Sequence, residues 1–316
     1  MSPPSVTSRL KPPALRSGDK VGIVAPASNI KRELLERGCD ALRGMGYEPF
    51  YFDSILERDL YFAGSVERRA RELEAMFERE DVRAIVCARG GYGSNYLLHE
   101  LDLLKIAAHP KIFVGYSDLT SVMTYMLDGA GLVTFHGPML TKDFAAGDGV
   151  DIASWTSAVS GVDEWEIGCD SGARALATGE AEGILYGGCL SILVASLGTP
   201  YEIRTDGTIL FLEDIAAKPF QIDRMLMQLK LAGKLKAVRG IVFGEMQDCR
   251  QSAVQDYTLE EVVMRVVGDL RIPVAFGLRS GHVSGANVTL PMGVRVRLEV
   301  GNEVRLKFLE SAAKRL

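Results

Sequence analysis

The chain reads as an α/β protein with an N-terminal domain built on a parallel sheet and a C-terminal mixed α/β domain with a β-rich tail. Three observations predict this. Short apolar runs alternate with helix-like segments through the first half, the pattern of a parallel sheet flanked by helices. The pattern fades between Lys142 and Glu180, where Gly, Ala, Asp and Ser are scattered, so residues 1–145 read as the first domain, 146–180 as the connection and 181–316 as the second. The tail alternates apolar and polar residues on both sides of Gly301-Asn302, a hairpin signal. A length of 316 residues suits two domains better than one core.

Taken in order, Val21 to Pro26 is a predicted strand, Arg32 to Met45 a helix and Glu48 to Asp53 a strand. Val66 to Glu80 is charged and unbroken by Gly or Pro, and reads as a helix. Val82 to Ala88 is the next strand, and Asn95 to Leu101 the next helix. Ile112 to Gly115 is a strand, Asp118 to Leu127 a helix and Leu132 to Phe135 a strand. In the second half Thr208 to Leu212 and Gly240 to Gly244 read as strands, and Pro219 to Leu231 and Leu259 to Leu270 as helices. Val294 to Val300 and Val304 to Leu309 form the tail hairpin. In open parallel sheets ligands gather beyond the carboxyl ends of the strands. Gly90-Gly91, Ser117 and His136 all follow strand ends.

Composition narrows the function classes. A net charge of −5 offers no basic surplus for phosphate backbones, which argues against nucleic acid as a partner. No stretch is apolar for long enough to span a bilayer. Met1 to Pro13 is proline-rich and lacks the apolar centre of a signal peptide, so a cytoplasmic protein is expected. Cys39, Cys87, Cys169, Cys189 and Cys249 are scattered without a CxxC pair, and no histidine pair has metal-ligand spacing. Neither a metal nor another cofactor is expected.

Ser117 sits in the run Ile112-Phe113-Val114-Gly115-Tyr116-Ser117-Asp118. A strand that turns abruptly into a helix pushes a hydroxyl out of the sheet and aims free N–H groups at whatever it attacks. Ser117 is thus either a nucleophile or simply a helix cap. A serine nucleophile needs a base, and the base an orienting partner. Of the four histidines, His99 lies in a helix-like segment and His109 in a loop before Pro110. The candidates are His136, at a strand end, and His282, in the glycine-bracketed loop Gly281-His282-Val283-Ser284-Gly285. Glu213 closes the apolar run Ile209 to Leu212; it is either the orienting carboxylate or a charge at a helix N-terminus. The loop Arg89-Gly90-Gly91-Tyr92-Gly93 lacks the spacing of a nucleotide fingerprint. It serves better as half of an oxyanion hole, with the N–H of Asp118 as the other half, or it is a plain tight turn. Cys189, in Gly187-Gly188-Cys189-Leu190, is a competing nucleophile or a packed thiol.

These segments together resemble the LD-carboxypeptidases, or muramoyltetrapeptide carboxypeptidases, a family that includes the microcin C self-immunity peptidases. The resemblance runs through Gly22 to Ser28, Arg89 to Gly93, Gly115 to Asp118, His136-Gly137-Pro138, Gly198-Thr199-Pro200, Leu212-Glu213-Asp214, Ile222 to Leu226 and Gly281-His282. It implies a Ser-Glu-His triad of Ser117, Glu213 and His282, with the N–H groups of Gly91 and Asp118 as the oxyanion hole. It also implies an active site in the cleft between two domains, a homodimer, and a small peptide as substrate. The implied reaction is release of the terminal D-alanine from murein tetrapeptide in cell-wall recycling. The alternatives are cleavage of a peptidyl or aminoacyl adenylate, or ligand capture without turnover. Arg89, Tyr92 and Cys189 are the expected substrate-pocket residues, Arg89 as the cation for the substrate carboxylate. The family usually has Gly-Gly-Asn-Leu where this chain has Gly187-Gly188-Cys189-Leu190, so an amide gives way to a thiol that hydrogen-bonds poorly.

Overall fold

The structure is a computed structural model and describes residues 9–250 and 256–315; the prolines among the first eight residues lie outside the described residues. The chain divides into two compact units: Met1–Val162 with Gly285–Gly293 and Ser311–Leu316, and Asp163–Ser284 with Val294–Glu310.

The first unit alternates as its apolar runs require: β1 Lys20–Val24, α1 Arg32–Gly44, β2 Glu48–Phe50, α2 Val66–Glu78, β3 Val82–Cys87, α3 Leu103–Ala108, β4 Ile112–Gly115, α4 Thr120–Gly129, β5 Thr134–His136 and α5 Ile152–Val159. The central strands β3 and β4 are buried almost throughout, because helices cover both faces of a parallel sheet. Helix α2 begins at Ser65, whose hydroxyl accepts Arg68 N, and buries Ala70, Leu73, Met76 and Phe77 along one stripe. The segment predicted as a helix over Asn95 to Leu101 is a 3-10 turn over Ser94–His99.

The second unit holds β6 Trp165–Ile167, β7 Arg174–Ala177, β8 Gly179–Cys189, α6 Leu190–Ala195, β9 Thr208–Glu213, α7 Pro219–Leu231, β10 Gly240–Gly244, α8 Leu259–Val267 and β11 Val274–Leu278. The chain then gives β12 Leu290–Met292 to the first unit, and finishes the second with β13 Arg295–Val300 and β14 Val304–Phe308. The first sheet has the order β12-β5-β4-β3-β1-β2, parallel except for β12. The second has the order β6-β14-β13-β8-β9-β10-β11-β7, with β8 to β11 parallel and the rest antiparallel. The tail hairpin pairs Val300 with Val304 around Gly301-Asn302, as the alternation predicts.

Residues 146–180, read from the sequence as the connection between domains, carry α5, β6, β7 and the start of β8. Strand β8 escapes the sequence reading because its glycines give it little strand propensity. They are there for space: a Cβ at Gly183 would lie 2.6 Å from Gly207 O, and one at Gly187 1.9 Å from Phe211 O. Among the described residues, no helix is long and apolar enough to cross a membrane.

Candidate active site

In the first unit, Ser117 stands just beyond β4, between β3 and β5 in the sheet. Tyr116 is extended, Ser117 has φ +63°, and one 3-10 turn over Ser117–Leu119 leads into α4. A left-handed backbone at a residue with a Cβ costs about 1–2 kcal/mol. A left-handed residue at a strand-to-helix turn is the backbone form that a nucleophile elbow takes. The N-cap position of this turn is Tyr116, not Ser117.

The loop Arg89–Gly93 leaves β3 and lies against this elbow. A Cβ at Gly90 would sit 2.9 Å from Ser117 Cβ, 3.1 Å from its Oγ and 3.4 Å from Asp118 N, so only glycine permits the approach. The loop is tied down by Ser28, whose N–H donates to Gly90 O at 3.2 Å and whose Oγ accepts Tyr92 N at 3.1 Å. The buried Arg69 guanidinium donates to Pro26 O at 2.6 Å and Gly93 O at 2.8 Å. Asp118, at the start of a helix, has an N–H with no partner inside that helix. The exposed Tyr92 joins the exposed Tyr61 and Tyr96 and the half-buried Phe62 in a ring cluster with centroids 4.4–6.1 Å apart. Arg89 is exposed and donates to Asn29 O at 3.4 Å.

In the second unit, Glu213 is the last residue of β9 and 0% exposed. Its Oε2 accepts both His282 N at 3.0 Å and His282 Nδ1 at 2.7 Å. A carboxylate that takes the ring and backbone N–H groups of one histidine fixes the ring in place. It also sets the tautomer: Nδ1 carries the proton and Nε2 the lone pair of the neutral imidazole. Gly281, φ +93°, is what lets the loop press so close, since a Cβ there would fall 2.7 Å from the Glu213 carboxyl carbon. The far side of the loop is gripped by Glu245, which accepts Ser284 N at 3.1 Å and Ser284 Oγ at 2.5 Å.

The alternatives read from the sequence separate here. His136 is fully buried in β5 opposite Leu290, with its ring 5.9 Å from that of Tyr116. The exposed His109 accompanies its own helix through Lys105 O. The helix-terminal charge is Asp214 rather than Glu213: its Oδ2 accepts Ser191 N of α6 and its Oδ1 accepts Ile215 N, both at 2.8 Å. Burial raises the Asp214 carboxyl above its ordinary range.

Cys189 closes β8 opposite Glu213 in the register, 4% exposed, with Sγ 3.4 Å from Ser191 Oγ. Burial, reinforced by the negative charges of Glu213 and Asp214, pushes its thiol well above the usual range. A thiolate is therefore scarce at neutral pH, and Cys189 is a packed group. In the folded protein, N-ethylmaleimide at pH 7.5 is expected to label Cys189 at least about tenfold more slowly than in urea, read by peptide mass spectrometry.

Sequence reasoning passed over Arg69, Ser94 and Glu245. Arg69 had a signal: it falls on the apolar stripe of α2, one turn before Leu73, where a charge needs a buried partner. Glu245 and Ser284 are far apart in sequence and neither carries a local mark.

Residues 21–137 match the family model of the LD-carboxypeptidase N-terminal domain, and residues 182–298 that of its C-terminal domain. A probable murein peptide carboxypeptidase of Bacillus subtilis is 36% identical over 296 residues, 93% of this chain and 92% of that protein. The crystal structure of a muramoyltetrapeptide carboxypeptidase from Oxalobacter formigenes superposes with a TM-score of 0.83 at 31% identity, covering 92% of this chain and 99% of that one. The microcin C7 self-immunity protein MccF, solved in complex with aspartyl sulfamoyl adenosine, superposes with a TM-score of 0.89 at 25% identity, over 96% and 100% of the two chains. With both halves of the chain matched and the relatives covered nearly end to end, this protein belongs to the LD-carboxypeptidase family of peptidases.

Proposed function

We propose that this protein is a serine carboxypeptidase that hydrolyses the L,D amide bond of murein tetrapeptide, releasing the terminal D-alanine in cytoplasmic cell-wall recycling. The observation that carries the reading is the 2.7 Å bond from His282 Nδ1 to the fully buried Glu213, which leaves Nε2 as a base. Ser117 Oγ attacks the scissile carbonyl while His282 Nε2 takes its proton. The N–H groups of Gly91 and Asp118 hold the oxyanion, each worth about 3 kcal/mol. His282 then gives its proton to the leaving D-alanine amine, and water, activated by the same ring, clears the ester from Ser117. Glu213 stays ionised and stabilises the imidazolium. Every step uses protein groups and water alone. Arg89 meets the substrate carboxylate, while Tyr92 and Cys189 shape the pocket around it. A homodimer belongs to the same proposal, and sedimentation at working concentration measures it.

The likeness to MccF supports a second reading, cleavage of an aminoacyl or peptidyl adenylate. One assay separates the two. Murein tetrapeptide and an aminoacyl sulfamoyl adenosine are offered to the purified chain, and products are followed by mass spectrometry. The expected result is D-alanine release with kcat/KM at least about tenfold above that for the adenosine conjugate. The reverse order supports the adenylate reading. Binding of tetrapeptide with no product from either compound supports a ligand-binding protein instead.

A further inference from the structure

A carboxylate in the first turn of a helix normally caps the N–H groups of its own helix. The N-cap positions here are Tyr116 for the 3-10 turn and Leu119 for α4, and neither caps through its side chain; the Asp118 carboxylate reaches out of its own helix. Its Oδ2 instead accepts Ser94 N at 2.7 Å, across 24 residues of chain. Ser94 returns the bond, its Oγ donating to Asp118 O at 2.6 Å and lying 2.7 Å from Ser121 Oγ. Both residues are out of solvent, Asp118 at 2% exposure and Ser94 at 0%. The two residues are thus joined twice, backbone to side chain in each direction.

The location gives this pair its meaning. Ser94 starts the turn that follows Gly93, at the end of the loop that holds Gly91. Asp118 follows the strained Ser117. Gly91 is flanked by fixed points: Gly90 O and Tyr92 N on Ser28, Gly93 O on Arg69 and Ser94 N on Asp118. Ser28 and Arg69 hold the loop to its own side of the unit. Of the four, only the Asp118–Ser94 link ties the loop to the elbow itself.

We propose that the Asp118 carboxylate is a positioning residue: with Ser94 it forms a reciprocal clamp that sets the spacing between the two oxyanion donors, Gly91 N–H and Asp118 N–H. The clamp rests on the reading of Ser117 as nucleophile. One residue then serves twice, donating to the oxyanion through its backbone and holding the opposite donor through its side chain. A transition-state donor must be placed before charge develops, so loosening the clamp weakens tetrahedral binding and leaves substrate binding alone.

The test compares wild type, Asp118→Ala, Asp118→Asn, Ser94→Ala and Ser117→Ala on murein tetrapeptide. Asp118→Ala is expected to lower kcat about 100-fold with KM within about threefold. Asp118→Asn keeps an acceptor oxygen and is expected to recover to within about tenfold of wild type. Ser94→Ala removes one leg of the clamp, is the milder change if Asp118→Ala does not fold, and is expected to lower kcat about fivefold. A peptide boronate that adds to Ser117 should lose affinity for each variant in step with kcat/KM. Tetrapeptide affinity, measured in the Ser117→Ala background, should not move when Asp118→Ala or Ser94→Ala is added. Equal losses of boronate and tetrapeptide binding, or unchanged kcat in folded Asp118→Ala or Ser94→Ala, would overturn the clamp. Full activity in Ser117→Ala would overturn the underlying reading, which is a separate outcome.

Discussion

Ser117→Ala is expected to abolish D-alanine release, lowering kcat by about 10⁴-fold to 10⁶-fold, with the melting temperature unchanged. The size follows from the loss of the only atom that forms the covalent intermediate. What persists comes from oxyanion stabilisation and binding, which still act on a water molecule. The unchanged melting temperature follows from φ +63° at this position, because alanine pays the same left-handed penalty as serine. Ser117→Gly separates the two consequences. It should be as inactive as alanine yet more stable by about 0.5–1 kcal/mol, since glycine adopts this conformation without strain. Steady-state release of D-alanine and a thermal melt of the same preparations check both halves. A glycine variant that is inactive but no more stable than wild type would remove the strain argument while leaving the chemical one.

The second large effect is expected at Glu213. Glu213→Gln preserves volume and offers one carbonyl oxygen to His282 N and Nδ1, but it carries no charge. The imidazolium formed during attack then lacks its counter-charge, and the amide can rotate an NH2 toward the ring and select the wrong tautomer. A fall in kcat of about 10³-fold to 10⁴-fold follows, with little change in KM. Glu213→Ala should lose as much activity and also about 1–3 kcal/mol of stability, because two donors on His282 lose their acceptor in a largely buried place. Activity together with chemical denaturation distinguishes the variants. Equal activity in Glu213→Gln and wild type would remove Glu213 from the mechanism.

Much of this molecule was legible in its sequence. The runs that became β1, β3, β4, β9 and β10 are continuous and apolar because both faces of a parallel sheet are covered. Ser117 and Glu213 each follow such a run directly, so their positions at strand ends could be read from one segment. His282 was marked by its glycines. The illegible parts depend on distant partners or on absent side chains. Strand β8 leaves no strand pattern in the sequence because backbone from Gly207 and Phe211 occupies the space where side chains at Gly183 and Gly187 would stand. The transfer of β12 to the first sheet is written nowhere near Leu290; it depends on pairing with Thr134–His136. Asp118 stands out in the sequence only for its backbone N–H, because the partner of its side chain, Ser94 N, lies 24 residues away.

The interleaved chain path has a consequence for biosynthesis. The first sheet receives its terminal strand from residues 290–292, and the same unit takes in the last residues of the chain. A nascent polypeptide that has emerged only as far as Val162 exposes the edge of β5, with no partner for its hydrogen-bonding groups. That edge stays open until more than a hundred further residues have left the ribosome. A prematurely terminated product therefore carries an adhesive border where the complete chain has a covered one.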